Sequence, residues 1–159
     1  MKISRTPEEV TIQTKYKISK RKVHNKQGVS YQYFVRVPPL LISFFNFSDY
    51  TKGGYNPNSI VIYEYENRFY LVDSETFYNI GNTNSTINMK IKDSVRYTAN
   101  IIQVNKVPNN NGFQFTLPLK QFKPLLNPHE NQYLLYTLHT GKEDIAYIKG
   151  LCEIEIITE

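Results

Sequence analysis

A run of cations near the start of the chain is the feature with the clearest chemical meaning. The stretch KYKISKRKVHNK, residues 15–26, contains six Lys or Arg side chains. Ammonium and guanidinium groups at this density neutralise phosphates, so the run is typical of a nucleic-acid-binding surface. A solvated face of a strand produces the same pattern, and both interpretations stay open. A membrane surface fits less well, because no helical apolar stripe accompanies the cations.

The distribution of charge favours a polyanionic partner at the N-terminal end. The formal net charge of the chain is +5 at pH 7. Residues 1–40 hold nine Lys or Arg against Glu8 and Glu9, a balance of +7, which leaves the remainder slightly acidic at −2. We therefore expect electrostatic attraction to be localised rather than spread over the whole surface.

The sequence offers no pattern of a catalytic or metal site. Phosphate-binding GxxxxGK[ST], GxGxxG and GxSxG are absent, and His24, His129 and His139 lie far apart. Cys152 is the single cysteine, which excludes an internal disulfide and a cysteine-based zinc site. We expect a protein without enzymatic activity, cofactor or metal. Since no stretch approaches the roughly 20 apolar residues of a membrane span, we also expect a soluble, cytoplasmic protein, in the host cell if viral.

The hydrophobic pattern predicts a β-rich protein. Thirteen Tyr and nine Phe with no Trp favour strands, because flat rings pack well on pleated, half-buried surfaces. Alternation and turn residues predict the first elements. They are a long strand over 10–23, a turn at HNKQG, a strand over 29–37 ended by Pro38-Pro39, a short helix from Leu40, and a hairpin of strands 60–65 and 69–72.

The same order of elements returns after the polar stretch NIGNTNST. We predict a linker at 79–88, then a strand or strand pair over 89–107 and a turn at PNNNG. A strand at FQFTL ends at Pro118 and precedes the helix-like segment LKQFKPLL. A hairpin of YLLYTL and DIAYI around HTGKE and a last strand at LCEIEIITE complete the second set.

Two motifs carry this repetition. RKVHNKQG followed by VRVP ends at Pro38, and NKVPNNNG followed by FTLP ends at Pro118. Gly28 and Gly112 each close a turn, where a positive φ is often needed and only Gly adopts it without steric cost. We interpret the pattern as an internal duplication, with units at 1–78 and 89–159. One such unit cannot bury its sheet face alone, so the two must pack together.

The order of these motifs resembles the AbrB-like swapped-hairpin family, whose MraZ members carry two units in one chain. The resemblance implies one small barrel or a pair of barrels, built by interleaved hairpins as a homodimer or as a pseudo-dimer within one chain. It also implies binding of double-stranded DNA by basic residues near the Gly and Pro. Arg21 and Lys22 match the basic pair before the turn, Lys106 matches in the second unit, and Lys123 matches the basic position after the Pro. Val29 and Phe113 stand where the family often has Arg. Ile42 and Ser43 are not basic where the second unit has Lys123, so the first unit keeps the basic strand, the second keeps the basic helix, and an asymmetric footprint is expected.

We therefore predict a double-stranded DNA-binding protein, a transcriptional regulator or a plasmid, phage or virus accessory factor. The second hypothesis is a protein-interaction module of antitoxin or virion-accessory type. The third is a single-stranded nucleic-acid binder that stacks bases on Tyr16, Tyr31 and Tyr33, although alternating aromatics in strands are more often core residues. The predicted nucleic-acid contacts are Lys15, Lys17, Lys20, Arg21, Lys22, His24, Lys26, Arg36, Lys106 and Lys123, and the predicted structural turn residues are Gly28, Pro38, Gly112 and Pro118.

Overall fold

The protein is built from two antiparallel β-sheets that share one hydrophobic core. The computed structural model describes residues 1–5, 9–43, 58–74, 77, 99–107, 112–141 and 152–159. Strands dominate these residues, and the helices among them are short. The predicted β-rich fold class is confirmed.

The larger sheet has the strand order β1-β2-β10-β11-β6-β5-β7 within the described residues. Its strands all pair antiparallel, which is typical of sheets that are connected by hairpins. Their bounds are β1 Lys2–Arg5, β2 Glu9–Lys17, β5 Ser59–Tyr65, β6 Arg68–Asp73, β7 Asn100–Gln103, β10 Gln132–Gly141 and β11 Cys152–Thr158. The sequence pattern did not predict β1, which lies at the edge and pairs with β2.

The smaller sheet has the strand order β3-β4-β9-β8. It joins β3 Ser19–Asn25 and β4 Gly28–Val37 to β8 Asn105–Lys106 and β9 Phe113–Thr116. Each sheet therefore contains strands from both halves of the chain. In the part of the chain that the structure describes, the strands pair into two sheets, and no pairing closes either sheet into a barrel.

A proline starts each short helix of the described chain. Helix α1 spans Pro39–Ile42, and α2 spans Leu119–Phe122 with a 3-10 turn at Lys123–Leu125. The carbonyls of Pro38 and Pro118 each accept N–H bonds from residues three and four positions later. Both prolines thus end a strand and begin a helix, as predicted from their position. No helix among the described residues has the length and apolar character needed to cross a membrane.

The predicted strand over 10–23 is wrong as a single element, because the chain changes sheets at Ile18. β2 ends at Lys17 in the larger sheet, and β3 begins at Ser19 in the smaller one. The buried Ile18 donates its backbone N–H to the Gln132 carbonyl at 2.9 Å. The alternation of side chains runs through this point without a break, so only the pairing partners reveal the crossing.

The prediction that a turn begins at the start of HTGKE is also wrong. β10 continues through residues 139–141, because β2 pairs with it as far as Glu9, which faces Gly141. The β5–β6 hairpin is confirmed, with Glu66 and Asn67 forming its turn at φ 51° and 63°. The linker at 79–88, the turn residues 108–111 and the strand DIAYI lie outside the described residues.

The strand pairing of the two halves of the chain has a pseudo-twofold symmetry. If β2–β6 are exchanged with β7–β11, the strand order of each sheet is reproduced in reverse, apart from the edge strand β1. Pro38 and Pro118 then correspond, and so do Val35 and Phe115, which face each other directly in the β4–β9 pair. Val104 corresponds to Ile18, and it donates its N–H to the Asn58 carbonyl as Ile18 does to Gln132. Each hairpin therefore pairs with the first strand of the other half.

The core lies between the two sheets and the short helices. Val35, Phe115, Leu117 and Phe122 are at most 2% exposed, and they meet the inner face of the larger sheet. A second cluster covers the opposite face of β5 and β6, where Tyr63 stacks on Tyr70 and packs against Phe77. The larger sheet is thus buried on both faces at these strands.

Phe122 should contribute most to stability among the helical residues described. Its ring is fully buried, and its centroid lies 4.5 Å from that of Phe69. We expect Phe122→Ala to lower the free energy of unfolding by about 3–5 kcal/mol through the cavity that it leaves. Leu119, in the same helix, is 39% exposed, so the control Leu119→Ala should change the free energy of unfolding by less than about 1 kcal/mol. Chemical denaturation measures both, and equal losses would contradict the packing described.

Candidate nucleic-acid interface

The basic hairpin of β3 and β4 is closed by local hydrogen bonding. Asn25 pairs with Gly28, which leaves Lys26 and Gln27 as the turn. The Asn25 side-chain Oδ1 accepts the Gln27 backbone N–H at 3.0 Å, an arrangement that favours the turn before any tertiary contact forms. Gly28 has φ +119°, so the predicted positive φ is confirmed at this glycine. Gly112 closes the corresponding hairpin by accepting the Val107 N–H at 2.9 Å.

The end of this hairpin extends beyond the core. Every residue from His24 to Ser30 is exposed, so both faces of the ribbon contact solvent. Lys22 and His24 lie on one face of β3, and Lys26 lies in the turn. A two-stranded ribbon exposed on both faces has the dimensions to enter the major groove of DNA. We refer to residues 22–30 as the hairpin tip.

The outer face of the smaller sheet, directed away from the core, presents polar and cationic side chains. Arg21 lies opposite Gln32 and donates from Nη2 to its Oε1 at 2.5 Å. Arg36 lies opposite Gln114 in the central β4–β9 pair. The residues that form this face are Arg21, Gln32, Phe34, Arg36, Asn105, Gln114 and Thr116.

A shallow depression occupies the middle of the outer face. Its volume is about 170 Å³, and its walls include Arg21, Gln32, Phe34 and Gln114. Phe34 is half-buried between strands on this otherwise polar surface. The depression combines a guanidinium, amide groups and a ring, which are the groups that hydrogen-bond and contact bases.

Charge is segregated between the two sheets. The four strands of the smaller sheet contain no Asp or Glu, and they hold Lys20, Arg21, Lys22, Arg36 and Lys106. The larger sheet carries acidic residues in β2, β5, β6 and β11. The formal charge of these four strands is therefore of one sign, and no carboxylate within them opposes an approaching phosphate.

The structure separates two of the predicted contacts from this surface. Lys15 and Lys17 lie on β2 in the larger sheet. The Lys15 ammonium pairs with the Glu159 carboxylate and lies 5.1 Å from the centre of the Tyr133 ring. Its charge is partly neutralised there, so the run 15–26 is not one continuous footprint.

Three further predicted lysines lie in the smaller sheet or in the turn after α2. Lys20 donates from Nζ to the Pro128 carbonyl, which ties β3 to the segment after α2. Lys123 is exposed in the 3-10 turn that follows α2. Lys106 belongs to the edge strand β8, and strand pairing places Lys20, rather than Lys22, at the corresponding position of the first half.

One of the tyrosines proposed for base stacking is a core residue. Tyr33 is 6% exposed, whereas Tyr31 and Tyr16 are partly buried against the same cluster. Tyr16 meets Tyr136 edge to face, with centroids 6.3 Å apart. Burial, with the neighbouring Tyr31, raises the pKa of Tyr33. Tyr33 therefore does not present its ring to a base, and the single-stranded hypothesis stays a prediction.

The outer face contains residues that the sequence interpretation missed. Gln32 and Phe34 alternate with the buried Tyr33 and Val35, a period of two that marks opposite faces of one strand. That alternation was available in the sequence for β4. The neighbouring Asn105, Gln114 and Thr116 come from the other half, so only the β4–β9 pairing brings them together.

Comparisons with known proteins give no relative. No protein-family model matches the chain, and neither curated proteins nor solved structures match it. Among the described residues, no group of three or more His, Cys, Asp or Glu side chains is placed to hold a metal ion.

Gly28→Val should destabilise the protein. A Cβ at Gly28 meets no atom within 4 Å, so the cost arises from the backbone angle of +119° alone. We expect a loss of about 1–3 kcal/mol in the free energy of unfolding. Ser30→Val, in the same exposed hairpin, is the matched control and should change stability by less than about 0.5 kcal/mol. A thermal melt that ranks the two variants equally would contradict the geometry of the turn.

Proposed function

We propose that the protein binds double-stranded DNA through the outer face of the smaller sheet and the hairpin tip. The observation that carries the proposal is the absence of acidic residues from all four strands of this sheet, which together hold five Lys or Arg, with Arg21 and Arg36 on the outer face. A solvated strand surface ordinarily mixes both signs of charge. A surface of one sign favours a polyanion.

Phosphate neutralisation supplies most of the binding free energy in this mechanism. Lys22 and Lys26 at the hairpin tip lie far enough from the core to follow the DNA backbone, and Arg36 extends the positive surface across β4. Each neutralised phosphate releases condensed counterions, which makes the affinity strongly dependent on salt.

The amide side chains of the outer face contribute base recognition. Gln32 and Gln114 present one acceptor and two donors each, the groups that pair with adenine in the major groove. Arg21 is oriented by its bond to Gln32, and an oriented guanidinium suits guanine. Cations at the tip position the duplex, whereas the central residues read its sequence.

The strand pairings support the resemblance to the AbrB-like swapped-hairpin family. Interleaved hairpins are what that resemblance implies, and here β10 pairs with β2 while β5 pairs with β7. We infer that the chain is a fused pair of such units and acts as a transcriptional regulator or as a plasmid, phage or virus accessory factor.

The DNA site should lack palindromic symmetry. The pseudo-twofold relates Phe34 to Gln114 and Arg36 to Thr116, so corresponding positions of the outer face differ in chemistry. Ser19 corresponds to Asn105 in the same way. A symmetric backbone with unlike side chains presents different contacts to the two half-sites.

Removing cations from this surface should reduce the salt dependence of duplex binding. In the variant Lys22→Gln, Lys26→Gln, Arg36→Gln, we expect the slope of log K against log salt to fall by about 2–3, since each phosphate contributes about 0.9. Fluorescence anisotropy with a labelled duplex at several salt concentrations measures the slope.

The matched control is Lys15→Gln, Lys17→Gln, which removes neighbouring cations from the larger sheet and should leave the slope within about 1 of the wild type. Equal effects of the two variants would contradict the location of the interface. Tighter binding of single-stranded DNA at the same salt would exclude the duplex mechanism. If the wild type binds neither, the protein-interaction hypothesis replaces this one.

Substitution of the central amides should change sequence preference rather than general affinity. For Gln32→Ala and Gln114→Ala, we expect a loss of about 1–3 kcal/mol on the preferred sequence and little change on random duplex. Selection of bound sequences from a random pool, followed by anisotropy, measures the difference. Ser30→Ala on the same hairpin is the control, and uniform weakening on every sequence by the glutamine variants would contradict base recognition.

A further inference from the structure

An apolar cavity of about 210 Å³ lies between α1 and the inner face of the larger sheet. It is separate from the outer face and the hairpin tip, on the opposite side of the smaller sheet. Strands β2, β10 and β11 form its floor, and the start of α1 forms its roof. The lining residues are Met1, Ile12, Thr14, Tyr16, Pro38, Pro39, Leu40, Leu41, Tyr136, Leu138 and Cys152.

The pseudo-twofold explains why this space is open. Cys152 corresponds to Phe69, and Ile42 corresponds to Phe122. At one of the two related sites the ring of Phe69, from the first half, packs on the ring of Phe122, from the second, with their centroids 4.5 Å apart. At the other site a thiol and a butyl group stand in the places of these two rings. The cavity lies beside Cys152, at the site where the two rings are missing.

The larger Tyr136, which stands at the position of Ile62, does not close the gap. Its hydroxyl donates to the Arg36 carbonyl at 2.7 Å, and its ring is held edge to face against Tyr16. This double constraint fixes the ring as a wall of the cavity. The hydrogen bond also links the cavity wall to β4, the strand that carries Arg36 on the outer face.

The side chains that line the cavity are uncharged. Burial raises the pKa of the Cys152 thiol, which therefore remains protonated at physiological pH. Burial also raises the pKa of Tyr136 well above its ordinary value. No Asp, Glu, Lys or Arg is among the lining residues. Apolar cavities of about 150 Å³ stay dry and take up benzene-sized molecules, so this cavity is large enough for one ring.

We propose that the cavity is a binding site for a small molecule with a single aromatic or other six-membered apolar ring. The ring would occupy the volume that corresponds to the one filled by Phe69 and Phe122 at the related site. Met1 and Leu40, which are 82% and 39% exposed, stand at the opening to solvent. A polar substituent on the ring would point out past these two residues.

Benzene is the probe that tests the site. At a concentration about ten times its dissociation constant, we expect the Tm of the wild type to rise by about 3–5 °C. In methyl NMR spectra, the shift changes should be confined to lining residues such as Ile12 and Leu138. Absence of a Tm rise at benzene saturation, or shift changes elsewhere in the molecule only, would overturn the proposal.

The internal symmetry supplies a matched pair of variants. Cys152→Phe gives this site the ring that Phe69 supplies at the related site, and it should abolish both the Tm rise and the shift changes. Phe69→Cys makes the reverse exchange and should lower the Tm while it keeps the response of Ile12 and Leu138 to benzene. Cys152→Met fills less volume and replaces Cys152→Phe if the larger ring prevents folding. Retention of the wild-type response in a folded, filled variant would exclude this cavity as the site.

Discussion

Two backbone hydrogen bonds determine how the rest of this structure is arranged. At Ile18 and at Val104 the chain leaves the larger sheet and enters the smaller one, and each residue donates its N–H to a carbonyl of the other half, Gln132 or Asn58. These N–H groups belong to buried residues, so a missing partner would cost about 1–3 kcal/mol each. Neither half can satisfy its own crossing. The interleaving of the hairpins and the central β4–β9 pair follow from this mutual requirement.

The crossing at Ile18 also determines where the charge is displayed. It divides one basic run between two sheets, with Lys15 and Lys17 on the larger and Arg21 and Lys22 on the smaller. Because the acidic residues of the described strands all lie in the larger sheet, the smaller sheet becomes a surface of one sign. The proposed DNA contacts are a consequence of this sorting rather than of the run itself.

A symmetric backbone with unlike side chains accounts for both proposed sites. On the outer face, Arg36 and Phe34 stand where the other half has Thr116 and Gln114, which makes the DNA contacts unequal. Inside the core, Cys152 stands where the other half has Phe69, which leaves space for a ligand. Two halves of one chain can differ in this way, since each position is free to change without changing its counterpart, whereas the subunits of a homodimer cannot.

The sequence by itself determined the local features of this protein, because they depend on a few neighbouring residues. The turn at Lys26-Gln27 follows from Asn25 and Gly28. The turn predicted at residues 66–68 is formed by Glu66 and Asn67. Pro38 and Pro118 predict where strands end and helices begin. The β-rich class and the repeated order of elements were predicted from the sequence for the same reason.

Only the tertiary structure decided which strands are neighbours. Residues distant in the chain determine the break at Ile18, the extension of β10 to Gly141 and the contact surface that Gln32 shares with Gln114. An alternating pattern predicts that a strand has two different faces. The long-range pairing decides which strand lies beside it and which of its faces is buried.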